Sequence, residues 1–175
     1  MVLVNRFPQI IFQTNIINFK YIGNLDCSYC QSVDLIIYIL SSPTNFDRRN
    51  NIRSTWGSIR SHLGLKVKHV FIIGSRNDSD LQTQINKEKM KYNDIVQGNF
   101  MDNYANLIVK TRFAQKWVAE FCVNSQYVLK TDDDIFINIY ELVRGIKERL
   151  EDIPENSLFC PKFHRGKSAI TYSQT

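Results

Sequence analysis

Three short apolar runs rich in β-branched residues stand out in the hydrophobic pattern of the chain. Small or polar residues bound each run, as they bound buried strands. The runs predict strands over residues 33–40, 67–73 and 126–130. Two shorter apolar stretches, at residues 94–96 and 135–137, predict two further strands. Residues 1–32 show no clear period, and we predict an irregular leader there.

Helical periodicity fills the intervals between these strands. It is strongest over residues 103–121, where apolar residues recur every three or four positions and form one stripe. Residues 80–92 and 139–150 predict two more helices, and Asn45 or Asp47 can cap a helix that follows the first strand. Strands that alternate with helices predict an α/β fold with a mainly parallel sheet flanked by helices.

The composition is that of an ordinary globular domain. Of the 175 residues, 43% are hydrophobic and 22% are charged, and the stretch 33–175 has no repeat or boundary, which predicts one domain there. The formal net charge of +5 suits a polyanionic ligand such as a diphosphate. Basic residues form no dense run with interleaved aromatics, which disfavours nucleic-acid binding. No stretch approaches the roughly 20 apolar residues of a membrane span, so the chain reads as soluble.

The four cysteines leave two interpretations open. Cys27 and Cys30 form a C-x-x-C pair, but the pair lies in a loop before a strand rather than at the start of a helix, which disfavours redox catalysis. A zinc site would need a second close pair, and Cys122 and Cys160 stand far apart. Disulfides formed in a secretory compartment and simple buried thiols both remain possible.

Three adjacent carboxylates, Asp132, Asp133 and Asp134, directly follow the third predicted strand. Ligands of open α/β sheets bind beyond the carboxyl ends of the strands. Adjacent carboxylates repel one another, and a divalent cation would supply the missing positive charge. Alternate residues of an extended segment point the same way, so Asp132 and Asp134 can share one metal while Asp133 turns toward the sheet or the ligand. A solvated acidic turn is the alternative, but the position between two apolar segments favours the metal site.

Arginines cluster after the first predicted strand. Arg49 and Arg53 lie four residues apart and therefore share one helix face, with Arg48 beside them. Their guanidinium groups could pair with a phosphate or with the acidic loop. An exposed basic face, with Trp56 as its anchor in the core, is the other interpretation.

Taken together, these features resemble the β-1,3-glycosyltransferase family, which includes β-1,3-galactosyltransferases and β-1,3-N-acetylglucosaminyltransferases. The resemblance covers roughly residues 30–162 and follows the order of the family's motifs. The matching segments are SSPTNFDRRNNIRSTWG (41–57), VFIIG (70–74), YNDIVQGNFMDNYANLIVKT (92–111), KWVAEFC (116–122) and YVLKTDDDIFIN (127–138).

The resemblance implies a GT-A, Rossmann-like fold that uses a UDP-sugar donor and Mn²⁺ or another divalent cation. It implies a metal at Asp132 and Asp134, and a disulfide between Cys30 and Cys122. The donor-binding positions that it implies are Ser41, Ser42, Arg49, Arg53, Asp132 and Asp133.

Several residues that open the longest predicted helix also match a family motif. They are Asp102, Tyr104, Asn106 and Lys110. We interpret them as packing residues of that helix, and Trp56 and Trp117 as core.

The chain departs from the family in two respects. Relatives have a membrane anchor and, downstream, an acidic motif whose carboxylate acts as catalytic base; here neither is found before Thr175. We therefore expect a GT-A domain truncated on its C-terminal side, with residues 33–175 forming the donor-binding half.

The resemblance implies transfer of galactose or an N-acetylhexosamine from a UDP-sugar to a glycan hydroxyl on a glycoprotein or glycolipid, in β-1,3 linkage. It places such enzymes on the lumenal side of the Golgi membrane, and the triplet Asn77-Asp78-Ser79 is a matching N-glycosylation sequon. The alternative is a catalytically inactive chain that binds a UDP-sugar or a full-length relative.

Overall fold

The computed structural model describes residues 2–5, 19–23, 27–149, 158–162 and 171–173. The strands are β1 (Val2–Asn5), β2 (Leu35–Leu40), β3 (Ser61–His62), β4 (Leu65–Ser75), β5 (Ile95–Met101), β6 (Tyr127–Asp132), β7 (Leu158–Lys162) and β8 (Thr171–Ser173). The α-helices are α1 (Phe46–Ser54), α2 (Ser79–Tyr92), α3 (Leu107–Phe121) and α4 (Ile139–Arg149). Short 3₁₀ turns occupy Cys27–Cys30, Trp56–Ser58 and Tyr104–Asn106.

Four parallel strands form the centre of the sheet, in the order β5-β4-β2-β6. Helix α1 lies between β2 and β4, α2 between β4 and β5, and α3 between β5 and β6. In order of these four strands along the chain, the sheet reads 3-2-1-4, as in one half of a doubly wound Rossmann sheet. Short antiparallel strands extend it: β3 beside β4, then β1, β7 and β8 beyond β6. The predicted α/β class, with a parallel sheet between helices, is confirmed.

Strand β2 is buried along its whole length because helices cover both faces of the sheet. Its side chains alternate between two apolar clusters, as the two-residue period of a strand requires. Leu35, Ile37 and Ile39 belong to one cluster, with α1, α2 and α4. The residues between them belong to the other, with α3. We call these the first and the second face of the sheet.

The N-terminal segment departs from the predicted irregular leader. Strand β1 pairs antiparallel with the outer edge of β6, and residues 19–23 run beside β5, where Tyr21 forms a bridge to Gly98. The two pieces cover opposite edges of the parallel centre. An uncovered edge would leave main-chain N–H and C=O groups without hydrogen-bond partners, and this accounts for their position.

The predicted strand at residues 135–137 is absent, and residues 135–138 have irregular structure instead. In the register of β2 with β6, Leu40 lies opposite Asp132, so β2 ends where β6 ends. Beyond Asp132 the chain turns away, and Ile137 returns to the core of the first face at 4% exposure. Phe136 is 75% exposed.

A disulfide joins Cys30 to Cys122, the pair that the family resemblance implies. Cys30 precedes β2 and Cys122 follows α3, and both are buried in the second face. The bond therefore ties the entry of the central strand to the end of the helix that covers it. Cys30 is thereby unavailable for a redox pair with Cys27. Among the helices that the structure describes, none is long and apolar enough to cross a membrane.

We predict that replacing both Cys30 and Cys122 by alanine lowers the free energy of unfolding by about 2–5 kcal/mol, since the bond closes a long loop in the unfolded chain. Urea denaturation with and without dithiothreitol measures the effect. The reductant should destabilise the wild type and leave the double variant unchanged. A wild type that is equally stable in both conditions would contradict the prediction.

Candidate functional site

The parallel register brings two loops together at the carboxyl edge of the sheet. Because Leu40 pairs with Asp132, the next residues, Ser41 and Asp133, leave the sheet side by side. Ser41 remains anchored to β4 on its other side, where its N–H donates to the carbonyl of Ile72 at 3.0 Å. The loop that leads into α1 and the acidic turn therefore form one site.

Of the three carboxylates, Asp133 is the one whose oxygens accept several hydrogen bonds from protein groups. It accepts hydrogen bonds from the Ser41 hydroxyl at 2.7 Å, the Asn45 amide at 2.8 Å and the Arg48 guanidinium at 2.9 Å. Its side chain is only 7% exposed. Burial alone would raise the pKa of this carboxyl group, but the hydrogen bonds from Asn45, Ser41 and Arg48, with the charge of Arg48, hold the pKa below its usual value.

Asp132 and Asp134 are exposed on either side of it. Their side chains are 49% and 62% accessible. Asp132 lies 3.4 Å from the ammonium group of Lys130, and Asp134 lies 3.9 Å from the guanidinium group of Arg48. Both distances are longer than the 2.7–2.9 Å bonds that hold Asp133. Carboxylate oxygens with this freedom are the ligands that Mg²⁺ and Mn²⁺ prefer.

Asp132 and Asp134 do not lie on one extended segment, as the predicted alternation requires. Alternation along an extended segment ends at Asp132, because residues 133 and 134 form a turn closed by the N–H of Ile135 and the carbonyl of Asp132 at 3.4 Å. In the described part of the chain, no three His, Cys, Asp or Glu side chains are grouped to hold a metal. A cation bound by Asp132 and Asp134 would therefore need its remaining ligands from water and from a bound anion, and Mg²⁺ commonly has such ligands.

Arg49, one of the predicted donor-binding residues, has a fully buried side chain. It donates to both carboxylate oxygens of Glu88, to the hydroxyl of Ser41 and to the carbonyls of Ser42 and Pro43. These five bonds match the five N–H groups of a guanidinium, so no donor is left for a phosphate.

Arg53, another predicted donor-binding residue, forms ion pairs within the protein. It donates to both oxygens of Asp94 at 2.7 Å and to Glu88 at 2.7 Å. Asp94 directly precedes β5, and β4 and β2 separate β5 from β6 in the sheet. The ion pairs of Arg53 therefore lie across the sheet from the acidic turn that ends β6.

Ser41 and Ser42, the other predicted donor-binding residues, have different surroundings. Ser41 is buried, and its hydroxyl is held by Asp133 and Arg49. Ser42 is half-buried, and its hydroxyl lies 3.2 Å from that of Thr44. Of the two, Ser42 therefore has the more accessible position.

Asn45 belongs to the site, although its sequence position predicts only a helix cap. It precedes α1, as a cap would, but its side chain makes no capping bond to the helix and donates to Asp133 instead. No local pattern could show this, because Asp133 is 88 residues away along the chain.

The motif at the start of α3 is only partly a packing motif. Asp102 and Lys110 are buried and paired, as packing residues would be. Tyr104 is 91% exposed, so its packing interpretation is wrong. The sequon residue Asn77 is exposed in the loop between β4 and α2, where a glycan could be attached.

The last parallel strand of the α/β sheet ends in the acidic turn, as the sequence motifs predict. A sequence profile of the galactosyltransferase family matches residues 47–174, and the chain belongs to this family.

Individual relatives agree with this assignment. The chain is 34% identical over 149 residues to the human lactosylceramide 1,3-N-acetyl-beta-D-glucosaminyltransferase, a match covering 81% of the chain and 39% of the relative. It is 40% identical over 122 residues to UDP-GalNAc:beta-1,3-N-acetylgalactosaminyltransferase 1 of Mus spicilegus, with 68% and 37% covered. It is 36% identical over 115 residues to beta-1,3-galactosyltransferase 4 of Mus musculus, with 66% and 31% covered. The chain thus spans less than two-fifths of each of these relatives.

We predict that Glu88→Gln lowers the free energy of unfolding by about 3–5 kcal/mol, because it removes the charge that compensates two buried guanidinium groups. Glu141→Gln is the matched control. Glu141 pairs with Arg144 on the surface of α4, where both side chains are 55% exposed, and the expected loss there is about 0–1 kcal/mol. Chemical denaturation of the two variants measures both values, and equal losses would contradict the buried network.

We predict that Asp133→Asn destabilises the chain by about 1–3 kcal/mol at pH 7, since hydrogen bonds to a charged group are lost. The folded-state pKa of Asp133 is lowered, so its stabilising contribution is complete above the ordinary pKa of about 4 and is lost as the pH falls through the lowered value. Urea titrations between pH 3 and pH 7 should therefore show the difference between wild type and variant shrinking in acid. Asp134→Asn removes a charge from the same turn and is the control. A difference that stays constant down to pH 3 would argue against a lowered pKa.

Proposed function

We propose that the chain binds the diphosphate of a UDP-sugar through a divalent cation, Mn²⁺ or a close equivalent, held by Asp132 and Asp134. The observation that carries the proposal is the unequal environment of the three neighbouring carboxylates. Asp133 accepts hydrogen bonds from three protein groups, whereas the side chains of the two residues beside it are exposed to solvent.

The protein groups around the turn suit this task. A bound cation would neutralise the diphosphate and stabilise it as a leaving group. Asp133, fixed by Ser41 and Asn45, holds the turn against the start of α1. Arg48 is half exposed beside Asp133 and Asp134. Its guanidinium can bind a phosphate oxygen in a charge-assisted hydrogen bond.

The transferred group and the acceptor are proposed from the relatives. Their names specify 1,3 linkages and the sugars N-acetylglucosamine, N-acetylgalactosamine and galactose. We propose transfer of galactose or an N-acetylhexosamine to a glycan hydroxyl of a glycoprotein or glycolipid, in β-1,3 linkage. Because the chain spans less than two-fifths of these relatives, the complete reaction is part of the proposal.

We also propose that the protein works on the lumenal side of the Golgi membrane. The disulfide between Cys30 and Cys122 requires an oxidising environment such as the secretory pathway. The exposed sequon at Asn77 suits the same compartment.

We predict that Asp134→Ala weakens Mn²⁺-dependent binding of UDP at least about tenfold, a loss of about 1.4 kcal/mol, because one of two proposed metal ligands is removed. Isothermal titration calorimetry with UDP, in the presence of Mn²⁺ and again after EDTA, measures it. Glu148→Ala removes an equally exposed carboxylate from α4 and should bind like the wild type. UDP binding that is unaffected by EDTA, or by loss of Asp134, would refute the metal site.

A further inference from the structure

Ser41 is held by buried cations from both faces of the sheet. Arg49 approaches it from α1 on the first face, and Lys110 approaches it from α3 on the second face. Ser41 in turn donates to Asp133 at 2.7 Å. Ser41, which links β2 to the acidic turn, therefore lies between two ion pairs.

On the first face, the guanidinium of Arg49 binds the Ser41 hydroxyl at 3.2 Å and the carbonyl of Ser42 at 2.6 Å. Two bonds to Glu88 of α2, at 2.9 and 2.7 Å, fix the guanidinium itself. The planar fork leaves the Ser41–Ser42 segment little freedom to move toward or away from α1.

On the second face, the ammonium of Lys110 donates to the carbonyl of Ser41 at 2.8 Å and to Asp102 at 2.8 Å. Asp102 also accepts from the N–H of Gly74, at 2.7 Å. The ammonium group thus joins the end of β2 to Asp102, which follows β5, and Asp102 in turn binds the end of β4. Lys110 is 6% exposed and Asp102 is 7% exposed, so water does not screen the pair.

A gain in folding stability does not by itself explain why two buried ion pairs lie beside Ser41. The cost of removing charges from water often equals or exceeds their attraction, and apolar replacements of similar size can be equally stable. Holding Ser41 in place explains these ion pairs better, because each cation donates at least one hydrogen bond to the main chain or side chain of Ser41. A shift of Ser41 would lengthen its bond to Asp133 and release the acidic turn.

We infer that Lys110 with Asp102, together with Arg49 with Glu88, are positioning residues that clamp Ser41 and thereby hold the acidic turn in the geometry that binds a metal–diphosphate. The inference rests on the proposed function. All four side chains are buried, so they act through Ser41 and Asp133 rather than on a ligand directly.

The test uses Lys110→Met in the full 175-residue chain, with UDP and Mn²⁺ as the probe. Calorimetry should show UDP binding weakened about tenfold, equivalent to about 1.4 kcal/mol. Lys116→Met, on the exposed side of the same helix, should bind like the wild type. Val118→Ala, which truncates the core under α3, should lower the melting temperature and leave UDP binding within twofold.

Two further readouts separate positioning from stability. In a double-mutant cycle with Ser41→Ala, Lys110→Met should add little to the loss already caused by Ser41→Ala, because both act through one residue. Hydrogen exchange of the Asn45 amide, which is bonded to the carbonyl of Ser42 at 3.0 Å, should accelerate in Lys110→Met and stay slow in Val118→Ala. Should Lys110→Met fail to fold, Asp102→Asn is the second variant, with an expected loss of about threefold in affinity, or about 0.7 kcal/mol.

The outcomes distinguish this inference from the proposed function. A wild type that binds no UDP with Mn²⁺ overturns the proposed function. A wild type that binds, with Lys110→Met binding equally well or adding its full loss to that of Ser41→Ala, overturns the clamp alone.

Discussion

The site depends on the main-chain ladder between β2 and β6. This parallel pairing sets Leu40 opposite Asp132, so that the two strands end at the same level. The residues that follow, Ser41 and Asp133, leave the sheet within hydrogen-bond distance of each other. A shift of the register by one residue would turn every side chain of β2 to the other face of the sheet and separate the two loops.

Electrostatics then divides the three carboxylates into two kinds. Asp133 is satisfied by neutral donors and by Arg48, so its charge is already compensated within the protein. Asp132 and Asp134 keep their charges exposed to water. The buried cations Arg49 and Lys110 are balanced by Glu88 and Asp102 rather than by the carboxylates of the turn.

Much of the fold could be predicted from local patterns. The apolar runs and helical stripes placed the parallel strands and their crossover helices, because a buried strand and an amphipathic helix each have a period that the sequence shows directly. The edges of the sheet were not predictable in this way. Strand β1 and the segment at 19–23 are short, and their positions depend on which main-chain groups of β5 and β6 remain unpaired.

The sequence by itself determined the order of the four parallel strands and of the helices between them, the place of Asp132–Asp134 at the end of a strand and the family motifs. Only the tertiary structure decided what each charged side chain faces. Spacing puts Arg49 and Arg53 on one face of α1, but it does not show that Glu88 and Asp94 lie across from that face. The physical reason is that periodicity describes a residue's direction from its own element, whereas an ion pair also requires the distance to a residue far away in the chain.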